Sequence, residues 1–121
     1  MNVFQKLKAS LRLDKAVKKA EQAHRETGKR YYVMPYVGSK GHLVIMDRSN
    51  FRKLKQKGYI TRNAFVRDLD RECFYFTAYR NGSSAIPPEI EKLKREQYFS
   101  WYKDAIKKNK KKKSDGLHSE K

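Results

Sequence analysis

The chain has 121 residues, enough for one domain, and carries 30 Lys and Arg against 13 Asp and Glu, a formal net charge of +17. Its single cysteine excludes an intramolecular disulfide, and no apolar run approaches the roughly 20 residues needed to span a bilayer. The N-terminus lacks the continuous apolar stretch and cleavage site of a secretory leader, so a cytoplasmic setting is expected, and an aromatic content of 12% argues against wholesale disorder.

Residues 12–27 carry the clearest helical pattern. Leu13, Ala16, Val17, Ala20, Ala23 and His24 share one face, with Lys8, Arg12, Lys15 and Lys19 roughly opposite. Gly28 follows where a left-handed residue ends a helix. Phe4, Leu7 and Leu11 are helically spaced among themselves, but on the same wheel they fall on the lysine side. One straight helix cannot bury both stripes against one core. The sequence therefore predicts either a break within residues 10–14, with Asp14 as N-cap, or an amphipathic segment 1–11 that meets a partner chain or a membrane surface.

Residues 30–36 (Arg-Tyr-Tyr-Val-Met-Pro-Tyr) read as an aromatic strand, 37–41 as a loop of turn formers, and 42–46 (His-Leu-Val-Ile-Met) as a second strand, together a β-hairpin. Pro35 lacks an N–H, which places the first strand at an edge or ends it early. The stretch from Asp47 to Asn50 offers N-caps for a short helix over residues 51–57, stopped by Gly58, after which Tyr59 and Ile60 return to the core. Residues 61–70 fit either a loop or a helical turn capped by Asn63. Residues 72–79 are a third strand, dense in aromatic and β-branched side chains, and Asn81-Gly82 turns the chain.

Ile86-Pro87-Pro88 opens the last helix. Its stripe is Ile86, Ile90, Leu93, Gln97, Trp101 and Ala105, widened by Tyr98, Phe99, Tyr102 and Ile106. Beyond residue 106 the apolar period stops, and 107–121 is expected to be disordered, or helical only as a frayed extension. The predicted architecture is α+β: a small antiparallel sheet of three strands, a hairpin plus one, covered by N- and C-terminal helices. It forms a single domain over 12–106, between the 1–11 segment and a basic tail.

Charge is the dominant functional signal. The seven lysines and two acids of residues 107–121 account for 5 of the +17, so residues 1–106 keep +12. An excess of this size attracts polyanions. Three groups of cations are candidates for phosphate contact: Lys8, Arg12, Lys15 and Lys19 on the first helix; Arg48, Arg52, Lys53, Lys55 and Lys57 around the second; and Lys110, Lys111, Lys112 and Lys113 in the tail. The tail block can add affinity but no base specificity. Residues 48–60 followed by 63–72 also admit a helix-turn-helix reading, with 65–72 as recognition helix, although Asp68, Asp70 and Glu72 would then face the polyanion. A sheet with Tyr outward and Phe inward would offer stacking platforms for unpaired bases, unless its aromatics are used in the core.

Catalytic patterning is sparse. His24, His42 and His118 lie in separate segments without zinc spacing, and Cys73 reads as a small buried hydrophobe. No cofactor-binding motif is expected. A metal-dependent nuclease would require Asp47 to approach Asp68, Asp70 or Glu72.

Gly28-Lys-Arg-Tyr-Tyr-Val-Met-Pro, the run from Leu43 to Ile60 and Glu72-Cys-Phe-Tyr resemble small basic proteins of Bacteroides-type gut bacteria and their mobile elements. The likeness covers roughly residues 15–105. It implies a bacterial cytoplasmic or mobile-element setting and carries no activity or site residue with it. The expected function is a non-enzymatic nucleic-acid-binding protein, for DNA or RNA. The alternative is an interaction protein for an anionic membrane or an acidic protein partner, held through residues 1–11.

Overall fold

The structure is a computed structural model that describes residues 1–36, 41–58 and 65–119. The element order is α1 (Val3–Thr27), β1 (Tyr32–Pro35), β2 (Leu43–Met46), α2 (Arg48–Gln56), a 3₁₀ turn (Val66–Asp68), α3 (Leu69–Glu72), β3 (Tyr75–Phe76) and α4 (Pro88–Ser119). The strands form one antiparallel sheet in the order β2-β1-β3, so the α+β class and the hairpin-plus-one arrangement are as expected.

The first helix does not break. It starts from a capping box, in which the Asn2 side chain accepts from the Gln5 N–H and the Gln5 side chain accepts from the Asn2 N–H. It ends at Gly28, whose φ of 77° places it in the left-handed region. Asp14 is therefore no N-cap; its carboxylate takes Arg95 of α4 at 3.1 Å. The buried stripe extends the expected face backwards by one turn: Ala9, Leu13, Ala16 and Ala20. The conflict between the two stripes is resolved by leaving one of them in solvent. Phe4 is 83% exposed, and Val3, Leu7 and Leu11 are exposed with it.

β1 is the central strand, not an edge, and it ends at Pro35, the other of the two placements expected for that proline. Proline is tolerated there because the β3 ladder reaches only Tyr32 and Val33, so no N–H is called for opposite β3 at Pro35. Alternation along β1 and β2 divides the core in two. Tyr31, Val33, Leu43 and Ile45 face α1 and α4; Tyr32, Met34, Val44 and Met46 face α2 and α3, where they meet Phe51 and Leu69. The third strand keeps this alternation only from Tyr75 onward. Phe74 N–H bonds to the Val33 carbonyl while Tyr75 stands opposite the same residue, so two residues oppose one, as in a bulge. Phe74 thereby joins the α1/α4 side, and Phe76 the other, instead of sharing one face as the simple alternation predicts.

Both faces of the sheet are thus covered, and the stacking-platform arrangement is not present. Tyr32 is fully buried, and Tyr75 donates its hydroxyl to Glu21 of α1 at 2.6 Å. Burial and then the Glu21 carboxylate push the Tyr75 phenol pKa upward.

α4 begins with Pro88 in its first turn, as its missing N–H allows. Its buried line is Lys94, Tyr98 and Tyr102, one residue round from the expected Leu93–Gln97–Trp101 stripe; Leu93 is half exposed. Tyr98 anchors the helix by donating to the Ala9 carbonyl at 2.6 Å. Gly41, with φ of 76°, brings the end of the hairpin loop against Tyr102, whose ring would meet a Cβ at 2.6 Å. Among the described side chains, Ile106 is the last apolar one packed on the core. The helix continues to Ser119, so residues 107–119 carry helical backbone where disorder was the first expectation. Lysine is a good helix former, and no proline interrupts the run.

α2 is capped by Asp47, which accepts from the Asn50 N–H at 2.8 Å. Residues 65–72 form a 3₁₀ turn and a single α-turn, too short to lie along a major groove. Leu69 is buried in the core, and Arg71 is engaged by Asp68 and Glu72. The loop residues 37–40, together with Tyr59, Ile60 and the Asn63 cap, lie outside the described residues. Among the described residues no helix is long and apolar enough to cross a membrane.

Candidate nucleic-acid interface

The first cationic group assembles because α1 lies beside the edge strand β2. Arg12, Lys15 and Lys19, spaced by three and four residues, share a line along the helix. They border an open groove of about 330 Å³ whose other wall is His42, Leu43, Val44 and Ile45. No acidic residue is among those lining it. Arg12 is half-buried, with its guanidinium 5.8 Å from the centre of the Tyr102 ring, so one of the three cations is held in place by the core. Lys8 is exposed one turn further toward the N-terminus.

The second group is differently placed. α2 packs on the opposite face of the sheet from α1, so its cations do not continue the groove. Arg52, Lys53 and Lys57 are exposed. Lys55 is half-buried, with its ammonium 5.1 Å from the centre of the Phe65 ring. Lys53 and Lys55 stand in the last turn of α2, where positive charge also favours the helix dipole. Arg48 belongs to neither surface: it lines a separate cavity with Lys29, Arg30 and Arg80, three cations that helical periodicity could not single out. Lys110, Lys111, Lys112 and Lys113 fall on the last turns of α4.

One lysine is withdrawn from binding. Lys94 is 5% exposed and donates to the carbonyls of Asp70, Arg71 and Cys73 at 2.7, 3.2 and 3.0 Å. These carbonyls lie at the end of α3 and just beyond it, where a helix leaves acceptors without internal partners.

The groups considered for catalysis have structural roles. Asp47 caps α2 and lies 3.5 Å from Lys29, and Asp68 takes Arg71 at 3.1 Å. Among the described residues no set of three or more His, Cys, Asp and Glu gathers to hold a metal ion, as a metal-dependent nuclease would require. Cys73 is fully buried. Burial pushes its thiol pKa up to about 11 against the opposing pull of Lys94, so it remains protonated at neutral pH. Comparison with family models, with curated proteins and with solved structures finds no match for this chain.

Proposed function

We propose that this chain is a non-enzymatic nucleic-acid-associated protein of the cytoplasm that contacts the phosphate backbone. The observation that carries this reading is the groove between α1 and β2, where Arg12, Lys15 and Lys19 converge with no acidic residue among the lining. Contacts of this kind hold a strand by charge and leave its sequence unread. The exposed α2 cations and the Lys110–Lys113 block add long-range attraction.

Titration of duplex DNA, duplex RNA and single strands by fluorescence anisotropy across a salt series tests the reading. Each phosphate neutralised on duplex DNA steepens the log–log salt dependence by about 0.9. Lys15→Ala with Lys19→Ala should therefore flatten the slope by about 1.8. Absence of affinity at low salt, or a slope the double variant does not change, defeats the proposal.

A second reading rests on the exposed apolar stripe of Val3, Phe4, Leu7 and Leu11 beside Lys6 and Lys8. A helix face of this composition suits the interface of an anionic membrane, or an acidic partner protein. Sedimentation with anionic vesicles, but not with zwitterionic ones, should be lost on Phe4→Ser with Leu7→Ser. Retention by that variant eliminates the stripe as a membrane anchor.

A further inference from the structure

A second open cavity, of about 690 Å³, lies where the end of α1, the start of α2 and the turn after β3 meet. Its chemistry is set by Lys29, Arg30, Asp47, Arg48, Tyr79 and Arg80: four cations and one carboxylate. The carboxylate is already committed, since Asp47 accepts from the Asn50 N–H at 2.8 Å and lies 3.5 Å from the Lys29 ammonium.

Arg30 makes the cavity more than a basic surface. It is 9% exposed, and its guanidinium carbon sits 4.1 Å from the centre of the Phe76 ring and 4.3 Å from that of Tyr79. One terminal nitrogen donates to the Ser84 carbonyl at 2.7 Å, and Ser84 itself has a φ of 55°, a left-handed value uncommon for a residue with a side chain. Its Nε is buried and has no hydrogen-bond partner. Among the described residues no carboxylate lies within 4.0 Å of this guanidinium. A buried cation without a counter-charge is costly, and ring faces offset only part of that cost.

The other cations stand nearer the solvent. Arg80 donates to the Thr27 carbonyl at 3.0 Å and lies across Gly28, where a Cβ would come within 2.5 Å of its Nε. Arg48 is exposed in the first turn of α2, whose leading amides add positive potential. Two guanidinium forks in such a position match the oxygens of a phosphate.

We propose that this cavity binds a phosphate monoester bearing a nucleoside, the chemistry shared by a free mononucleotide and the 5′-phosphorylated end of a nucleic-acid strand. The lining carries a net +3, which suits a dianionic monoester better than the single charge of an internal phosphodiester. The volume is in the range of about 300–1,000 Å³ typical of small-molecule sites, larger than a bare phosphate requires. The Tyr79 ring, stacked by Arg30 and 38% exposed at the rim, is the surface on which a base would lie. This site is independent of the α1–β2 groove and does not require the nucleic-acid reading of that groove.

The test uses the full chain. Calorimetric titration with adenosine 5′-monophosphate, adenosine and inorganic phosphate is paired with anisotropy of 3′-labelled short single strands carrying either a 5′-phosphate or a 5′-hydroxyl. The monophosphate should bind and adenosine should not. Arg48→Ala with Arg80→Ala, both exposed residues, should weaken monophosphate binding by at least about tenfold in protein whose circular dichroism is unchanged. Lys15→Ala with Lys19→Ala should leave it unchanged, which separates failure of this site from failure of the groove. A tighter hold on the 5′-phosphorylated strand identifies the strand end as the source; monophosphate binding without that preference identifies the free nucleotide. The proposal is overturned if the monophosphate binds no better than adenosine and the 5′-phosphate adds nothing. Monophosphate binding that survives the double arginine variant overturns it equally.

Discussion

Phe74→Ala is expected to lower the unfolding free energy by about 3–5 kcal/mol, a large share of the roughly 5–15 kcal/mol that holds a domain of this kind together. Phe74 is 7% exposed and stands at the bend where the third strand changes its facing. Its ring centre lies 5.3 Å from those of both Tyr98 and Trp101, so it joins the third strand to α4. Truncation removes the area of a whole ring and leaves a void that α1 and α4, tied to each other by Tyr98 and Arg95, cannot readily close. Urea denaturation followed by tryptophan fluorescence reads the loss directly, because Trp101 is one of the partners. A change below about 1 kcal/mol would mean that the bend is not anchored by this residue.

Lys94→Met should cost about 2–4 kcal/mol, even though methionine is close to lysine in length and apolar character of stem. Three carbonyl oxygens lose the ammonium that bonds them, in a place from which water is largely excluded, and the Asp70 carbonyl keeps only the weak Cys73 thiol as a side-chain donor. The same substitution should leave the salt dependence of nucleic-acid binding unaltered at temperatures where the variant is folded. Formal charge overstates the charge available for binding. A lysine spent on the carbonyls of Asp70, Arg71 and Cys73 contributes to the +17 and nothing to a phosphate. If Lys94→Met flattens the salt slope as much as a groove lysine does, that distinction is wrong.

The elements with strong local signals were legible in the residues: the hairpin, the capped second helix, the proline at the head of α4 and the glycine at the foot of α1. The facing of the last two helical surfaces was not. A 100° wheel centres the core side of α4 on Leu93 and Trp101, with Tyr98 and Tyr102 widening it; Trp101 and the tyrosines do pack there, but Leu93 is half exposed and Lys94 is buried instead. The reason is tertiary: the Tyr98 hydroxyl reaches the Ala9 carbonyl and Lys94 reaches the end of α3, partners that no periodicity can announce. The same limit applies to the stripe of Phe4, Leu7 and Leu11. Its conflict with the buried face of the same helix was visible, but continuity of the helix was decided by Asn2, Gln5 and the burial of Ala9. Among the candidate cations, spacing along α1 found Arg12, Lys15 and Lys19 correctly as neighbours. It could not find Lys29, Arg30 and Arg80, which come together from segments some fifty residues apart and belong to no repeating pattern.

α1 places two of these surfaces on a common ruler. Twenty-five residues at about 1.5 Å each make a rod of about 37 Å. The apolar stripe lies at its first turns, and Gly28, beneath Arg80, at its far end. Occupants of the two ends are separated by close to one helical turn of duplex, about 34–36 Å. They can therefore be bound at the same time without touching. A protein anchored through its first residues would keep the monoester cavity a full helix length away from the anchor.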